Sequence, residues 1–126
     1  MNKALKVIVA LPAILFIVIG LRWLIDPAGV AAELGMPLLD GLGRSTQIGD
    51  LGAFFFGGGV MILLGVITQQ RAWFLAPAIM LGFTAVFRLV AWAAHDAAFA
   101  TQQIAVEVVV ASLLLFAASR TGRPAA

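Results

Sequence analysis

Four charged residues, Arg22, Asp50, Arg88 and Glu107, stand inside four successive apolar stretches of this chain. A charged side chain in hydrocarbon is costly unless it is paired or meets water, so each of the four is a candidate for function. Two guanidiniums and two carboxylates in one place offer three kinds of chemistry. The guanidiniums can grip an anionic group through paired hydrogen bonds. A carboxylate can act as general acid or base, with Asp50 and Glu107 as the candidates. Alternatively the four charges neutralise one another and hold the helices in register. At 1.5 Å rise per residue all four fall within about 3–9 Å of the same membrane boundary, although successive stretches run in opposite directions. Arg88 and Glu107 flank the turn between the third and fourth stretches at similar distances, so an antiparallel hairpin brings them level as a guanidinium–carboxylate pair. Asp50 is then expected to pair with Arg22 or to share Arg88. Trp92, Gln47, His95, Gln102 and Gln103 lie within reach of the same mouth. The expected binding set is Arg22, Asp50, Arg88, Trp92 and Glu107.

Other chemistries are poorly supplied. With no cysteine, thiol catalysis, disulfides and thiolate metal sites are excluded. His95, Asp96, Asp50 and Glu107 show no helical ligand spacing of the Glu-x-x-His kind, so no metal site is expected. No phosphate loop, dinucleotide fingerprint or Ser-His-Asp arrangement occurs, and no cofactor is expected. Thr84 and Ser112, in mid-stretch, are expected to bond to their own helix backbone rather than to act as nucleophiles.

The elements that must position these residues follow from composition. Of 126 residues, 63% are hydrophobic and only 11% charged, whereas a soluble domain carries about 25% charged residues. Mean hydropathy is +1.08. The chain therefore reads as all-α, a four-helix transmembrane bundle in one domain, with spans at about 5–25, 46–67, 72–94 and 103–118. The first stretch is too long for a signal peptide, and Arg22, Trp23 and Asp26 separate it from any small-residue cleavage site. Asp26-Pro27 reads as an N-cap with proline at the first helical position. The segment from Pro27 to Leu34 is then a short interfacial helix between helices one and two, or an ordered loop. The net charge of +2 comes from Lys and Arg near the chain ends, without a basic stripe, so nucleic acid is not an expected partner. Lys3, Lys6, Arg71, Arg120 and Arg123 share one side, which the positive-inside rule makes cytoplasmic, together with both termini. Trp73 marks the inner interface, Trp23 and Trp92 the outer one. In the second span Gly49, Ala53 and Gly57 repeat every four residues, a face on which another helix, or a second copy of the chain, can approach closely.

Several short motifs together resemble a known family. Trp23 precedes Asp26-Pro27, Asp50 lies ahead of Gly57-Gly58, Arg88 is followed by a turn at Asp96, and Glu107 stands in the fourth helix. In this set the chain resembles the small four-helix bacterial membrane proteins of domain-of-unknown-function family 4345, over nearly its whole length. The resemblance implies the architecture and the polar residues and supplies no substrate. The chain departs from the family pattern at Asp50, where Glu is expected, at Gly52, where Arg is expected, and at Ala97, where Gly is expected. Helix one holds no acid in mid-span, which argues against proton-coupled export of the small multidrug transporter kind. The leading expectation is a bacterial inner-membrane protein that binds or handles a small amphipathic, lipid-like molecule in a polar pocket of the outer half. The alternatives are a membrane-embedded isomerase or hydrolase using Asp50 or Glu107, and a structural or assembly protein.

Overall fold

The computed structural model describes residues 1–122. Arg123, counted above among the basic residues, lies outside them. The elements are α1 (Lys3–Ile25), α2 (Pro27–Glu33), α3 (Gly41–Thr46), a π-helical turn (Gln47–Leu51), α4 (Gly52–Thr68), α5 (Ala72–Ala94) and α6 (Thr101–Arg120). α3, the π turn and α4 run on as one helix, Gly41–Thr68, so four helices are long and apolar enough to cross a membrane. The protein is an all-α four-helix bundle. The helix containing α4 starts at Gly41 rather than near residue 46, and α6 runs two residues beyond each expected end. Hydropathy marks the apolar layer, and helical hydrogen bonding continues past it into Gly41–Thr46.

Local chemistry explains the boundaries. Asn2 Oδ1 accepts from the Leu5 N–H at 2.8 Å and opens α1. Asp26 ends α1 and caps α2, accepting from the Gly29 N–H at 3.2 Å, with Pro27 at the first helical position. Gly35, at φ +81°, takes the chain out of α2 in the left-handed region. The interfacial segment is thus a helix, not a loop. At the other end of the bundle Gln69 closes α4, also left-handed, and its N–H reaches Gly65 O.

The tightest packing joins α1 to α4. A Cβ on Gly20 would stand 2.7 Å from the Phe56 backbone N, and one on Gly59 would stand 2.5 Å from Ala13 O. A Cβ on Gly52 would stand 3.1 Å from Trp23 Cβ. Without a hydrophobic drive inside lipid, such backbone proximity is what makes helices adhere. Gly65 receives the Phe74 ring where α4 turns into α5. The main core gathers Val9, Ala13, Phe16, Ile62, Phe74, Leu81 and Leu114, and a smaller one holds Trp23, Val30 and Ala31 under α2. The Gly49–Ala53–Gly57 face is not the one used within the chain. Gly49 and Ala53 are exposed, and nothing lies within 4 Å of a Cβ on Gly49 or Gly57. The bulky Phe16 and Trp23 of α1 are matched instead by Gly58 and Gly52, on another side of the same helix.

Large apolar side chains cover the outside: Ile67, Phe83, Phe87 and Val109 are all more than half exposed. In water a surface so apolar would aggregate; in a bilayer it is the solvated face. This is a multi-pass membrane protein. With four spans, both chain ends and the α4–α5 turn share one end, called terminal here; α2 and the α5–α6 turn share the distal end. The terminal end is tied together by Arg71, whose Nε donates to Ala118 O at 3.1 Å near the C-terminus of α6.

Candidate functional site at the distal mouth

The hairpin of α5 and α6 brings Arg88 and Glu107 together. Arg88 Nε donates to both carboxylate oxygens, at 3.0 Å to Oε1 and 2.9 Å to Oε2. The bond is forked from a single nitrogen, not the two parallel bonds expected. The guanidinium edge formed by Nη1 and Nη2 makes no hydrogen bond among the described residues. The Glu107 side chain is only 10% exposed and that of Arg88 37%.

One face of α5 shows why Arg88 is partly open. Leu81, Ala85, Arg88 and Trp92 recur at helical spacing and share the side that meets the core. Exposure rises steadily along that side: Leu81 is 3% exposed, Ala85 5% and Trp92 52%. The inward face of α5 therefore loses its cover over its last two turns. On α6, Gln103 stands one turn beyond Glu107 and is half-buried. The Trp92 ring meets Phe99 edge-on with centroids 5.2 Å apart. The Arg88–Glu107 pair thus lies one turn of α5 from the exposed Trp92, and this part of the bundle is called the distal mouth here.

Arg22 is engaged elsewhere. Its Nη1 donates to Glu33 Oε2 at 2.6 Å and its Nη2 to Glu33 Oε1 at 3.0 Å, which clamps α2 against the last turn of α1. The expected Arg22–Asp50 pair is not formed. The hydrogen bonds from Arg22 hold the Glu33 carboxyl below its usual range, with the guanidinium charge acting the same way and partial desolvation opposing. Glu33 was missed as a partner. The signal was present, because the tight Asp26-Pro27 turn folds α2 back along α1 and returns its last residue to Arg22.

Asp50 lies in the π turn, exposed, and makes no hydrogen bond or ion pair among the described residues. Carrying the antiparallel register of Gly65 and Phe74 toward the distal end places Arg88 level with Leu51. Asp50 and Arg88 are thus near one level of the bundle, but Asp50 is exposed while Arg88 is turned to Glu107 of α6. The four charges share a layer and not a site. Gln47, expected near the mouth, is instead buried and holds the 36–40 connection: Oε1 accepts from the Leu39 N–H at 2.8 Å and Nε2 donates to Pro37 O at 3.0 Å. Trp23 is fully buried beneath α2, and its Nε1 has no hydrogen-bond partner among the described residues.

Thr84 Oγ1 donates to Met80 O at 2.7 Å, the backbone bond expected of it; Ser112 makes no such bond. Among the described residues no three His, Cys, Asp or Glu side chains are grouped to hold a metal ion. Two cavities lie away from the mouth. One, of about 10 Å³, sits in mid-bundle between Phe16, Phe54, Gly58 and Leu81, and the other opens at the terminal end beside Met1 and Arg120. No family model, no curated protein and no solved structure matches the chain.

Proposed function

We propose that the protein sits in the bacterial inner membrane with both termini cytoplasmic and its distal mouth facing outward, where it binds a small amphipathic, lipid-like molecule. One observation carries this reading: along a single face of α5 the cover is lost at the level where Arg88 offers an unused guanidinium edge. Guanidinium donors at the edge of hydrocarbon are costly to leave unmet, and an incoming polar head meets them. The rim pair Trp92 and Phe99 suits a molecule whose remainder is apolar. Arg88, Trp92 and Glu107 are the binding residues in this reading. Arg22 acts at a distance by holding α2 in place, and Asp50 stands apart. Resemblance to family 4345 belongs to the same proposal, supported by the motifs that include Arg88 and Glu107.

The test is mass spectrometry of the lipids and metabolites that purify with the protein in neutral detergent. The wild type retains an amphiphile that Arg88→Gln loses and Asp50→Asn keeps. If Arg88→Gln carries the same species in the same amount, the mouth is not the site. The enzymatic alternative gains no specific support, since Glu107 is bonded to Arg88 and Asp50 makes no hydrogen bond or ion pair among the described residues. An assembly role has one observation in its favour, the uncovered Gly49–Ala53–Gly57 face, which suits a second copy of the chain.

A further inference from the structure

We infer that the head group recognised at the distal mouth is an anion of the phosphate or carboxylate kind; this rests on the binding reading above and deepens it. The argument is one of valence. Glu107 takes only the Nε–H of Arg88, through both of its oxygens. That contact fixes the guanidinium plane and leaves the Nη1–Nη2 edge as a planar pair of donors. This edge matches two oxygens of a phosphate or carboxylate with parallel hydrogen bonds, a fit that neither an ammonium nor a sugar hydroxyl reproduces. A cationic head would have to draw Glu107 away from Arg88, and Glu107 is the buried partner of the two. A neutral head gains no charge-assisted bond from the guanidinium edge, so it competes less well than an anion. Gln103, half-buried one turn beyond Glu107, adds an amide that donates to a second oxygen of the head. Trp92 and Phe99 then flank the first carbons of the chain.

Glu107 is in this account a positioning residue. It aims the guanidinium, and its own charge opposes the anion. That sets opposite signs for two substitutions. Arg88→Gln removes the fork and weakens anion binding by about tenfold or more, the worth of a charge-assisted hydrogen bond. Arg88→Lys keeps a charge to pair with Glu107, so that the fold is retained, yet it offers a point charge in place of the fork and weakens binding severalfold. Glu107→Gln keeps an oxygen for Nε while removing the opposing charge, and anion binding tightens.

The experiment compares three amphiphiles of equal chain length, dodecyl phosphate, dodecyl maltoside and dodecyltrimethylammonium, titrated into the full-length protein in neutral nanodiscs and read by native mass spectrometry. The expected result is a preference for dodecyl phosphate that falls in the order wild type, Arg88→Lys, Arg88→Gln. Displacement by inorganic phosphate alone identifies a soluble anion as the natural source; retention against it identifies a lipid head group, and either supports an anionic ligand. If dodecyl maltoside or dodecyltrimethylammonium binds better and still depends on Arg88, the anion assignment is wrong while the amphiphile-binding reading stands. If none of the three binds, or the preference survives in Arg88→Gln, both are wrong.

Discussion

Arg22 and Arg88 are the same residue type at comparable depth, and their partners give them different work. Arg22 spends its whole Nη edge on Glu33, so nothing remains for a ligand. Arg88 is held through Nε alone and keeps that edge. Choice of nitrogen, not choice of residue, separates clamp from receptor. The clamp has a pH dependence whose sign is fixed. The Glu33 carboxyl is shifted down by the hydrogen bonds from Arg22, so the clamp stabilises fully above the ordinary glutamate value of about 4.3 and is lost as pH falls through the lower, folded value. Thermal unfolding in detergent is therefore expected to show a loss of stability on acidification below about pH 4 that Glu33→Gln abolishes. Equal acid sensitivity in the variant would mean that the α2 contact does not contribute. Residue identity and depth were legible in the sequence because spacing and rise per residue carry them. Azimuth was not: whether Asp50 faces α1, α5 or lipid depends on helix phase, and the π turn shifts that phase.

At the scale of elements, apolar runs and caps predicted the helices well. Asp26-Pro27 marked the start of α2, and α5 occupies the expected Ala72–Ala94. Packing faces were harder, because α4 carries small residues on more than one side. Gly52 and Gly59 meet α1, while Gly49 and Gly57 meet nothing. Substitution separates the two faces. Gly20→Ala and Gly59→Ala force α1 and α4 apart and are expected to cost about 1–3 kcal/mol each. Gly49→Ala and Gly57→Ala are expected to stay within about 0.5 kcal/mol in the monomer. Unfolding in a denaturing detergent measures both; if the second pair proves as damaging as the first, the uncovered face is in use, and cross-linking would then reveal the second copy.

For the molecule as a whole, the two ends of the bundle are held together by different contacts. At the terminal end Arg71 reaches Ala118, Phe74 seats against Gly65, and Leu114 and Ala117 are fully buried. At the distal end α2 covers the α1–α4 side, and the last turn of α5 and the first turn of α6 are more exposed than the parts of those helices nearer the core. A single-site label tests which way this shape faces. The chain has no cysteine, so Ala98→Cys and Ser119→Cys each introduce one reporter. In intact cells a membrane-impermeant maleimide is expected to modify the first and to reach the second only after permeabilisation. The reverse pattern would turn the mouth to the cytoplasm and remove the outer leaflet as the source of ligand.

The π turn carries a last consequence. Its backbone ring closes over five residues where an α-helix uses four, so each residue from Gln47 to Leu51 sweeps a smaller angle. Gln47 can therefore look inward to bind Leu39 and Pro37 while Asp50, less than one turn later, looks outward. The second span behaves like a rod carrying one surplus link. The surplus is absorbed as a local unwinding, so the loop latch and the exposed acid coexist on a helix whose regular pitch would bring them closer together.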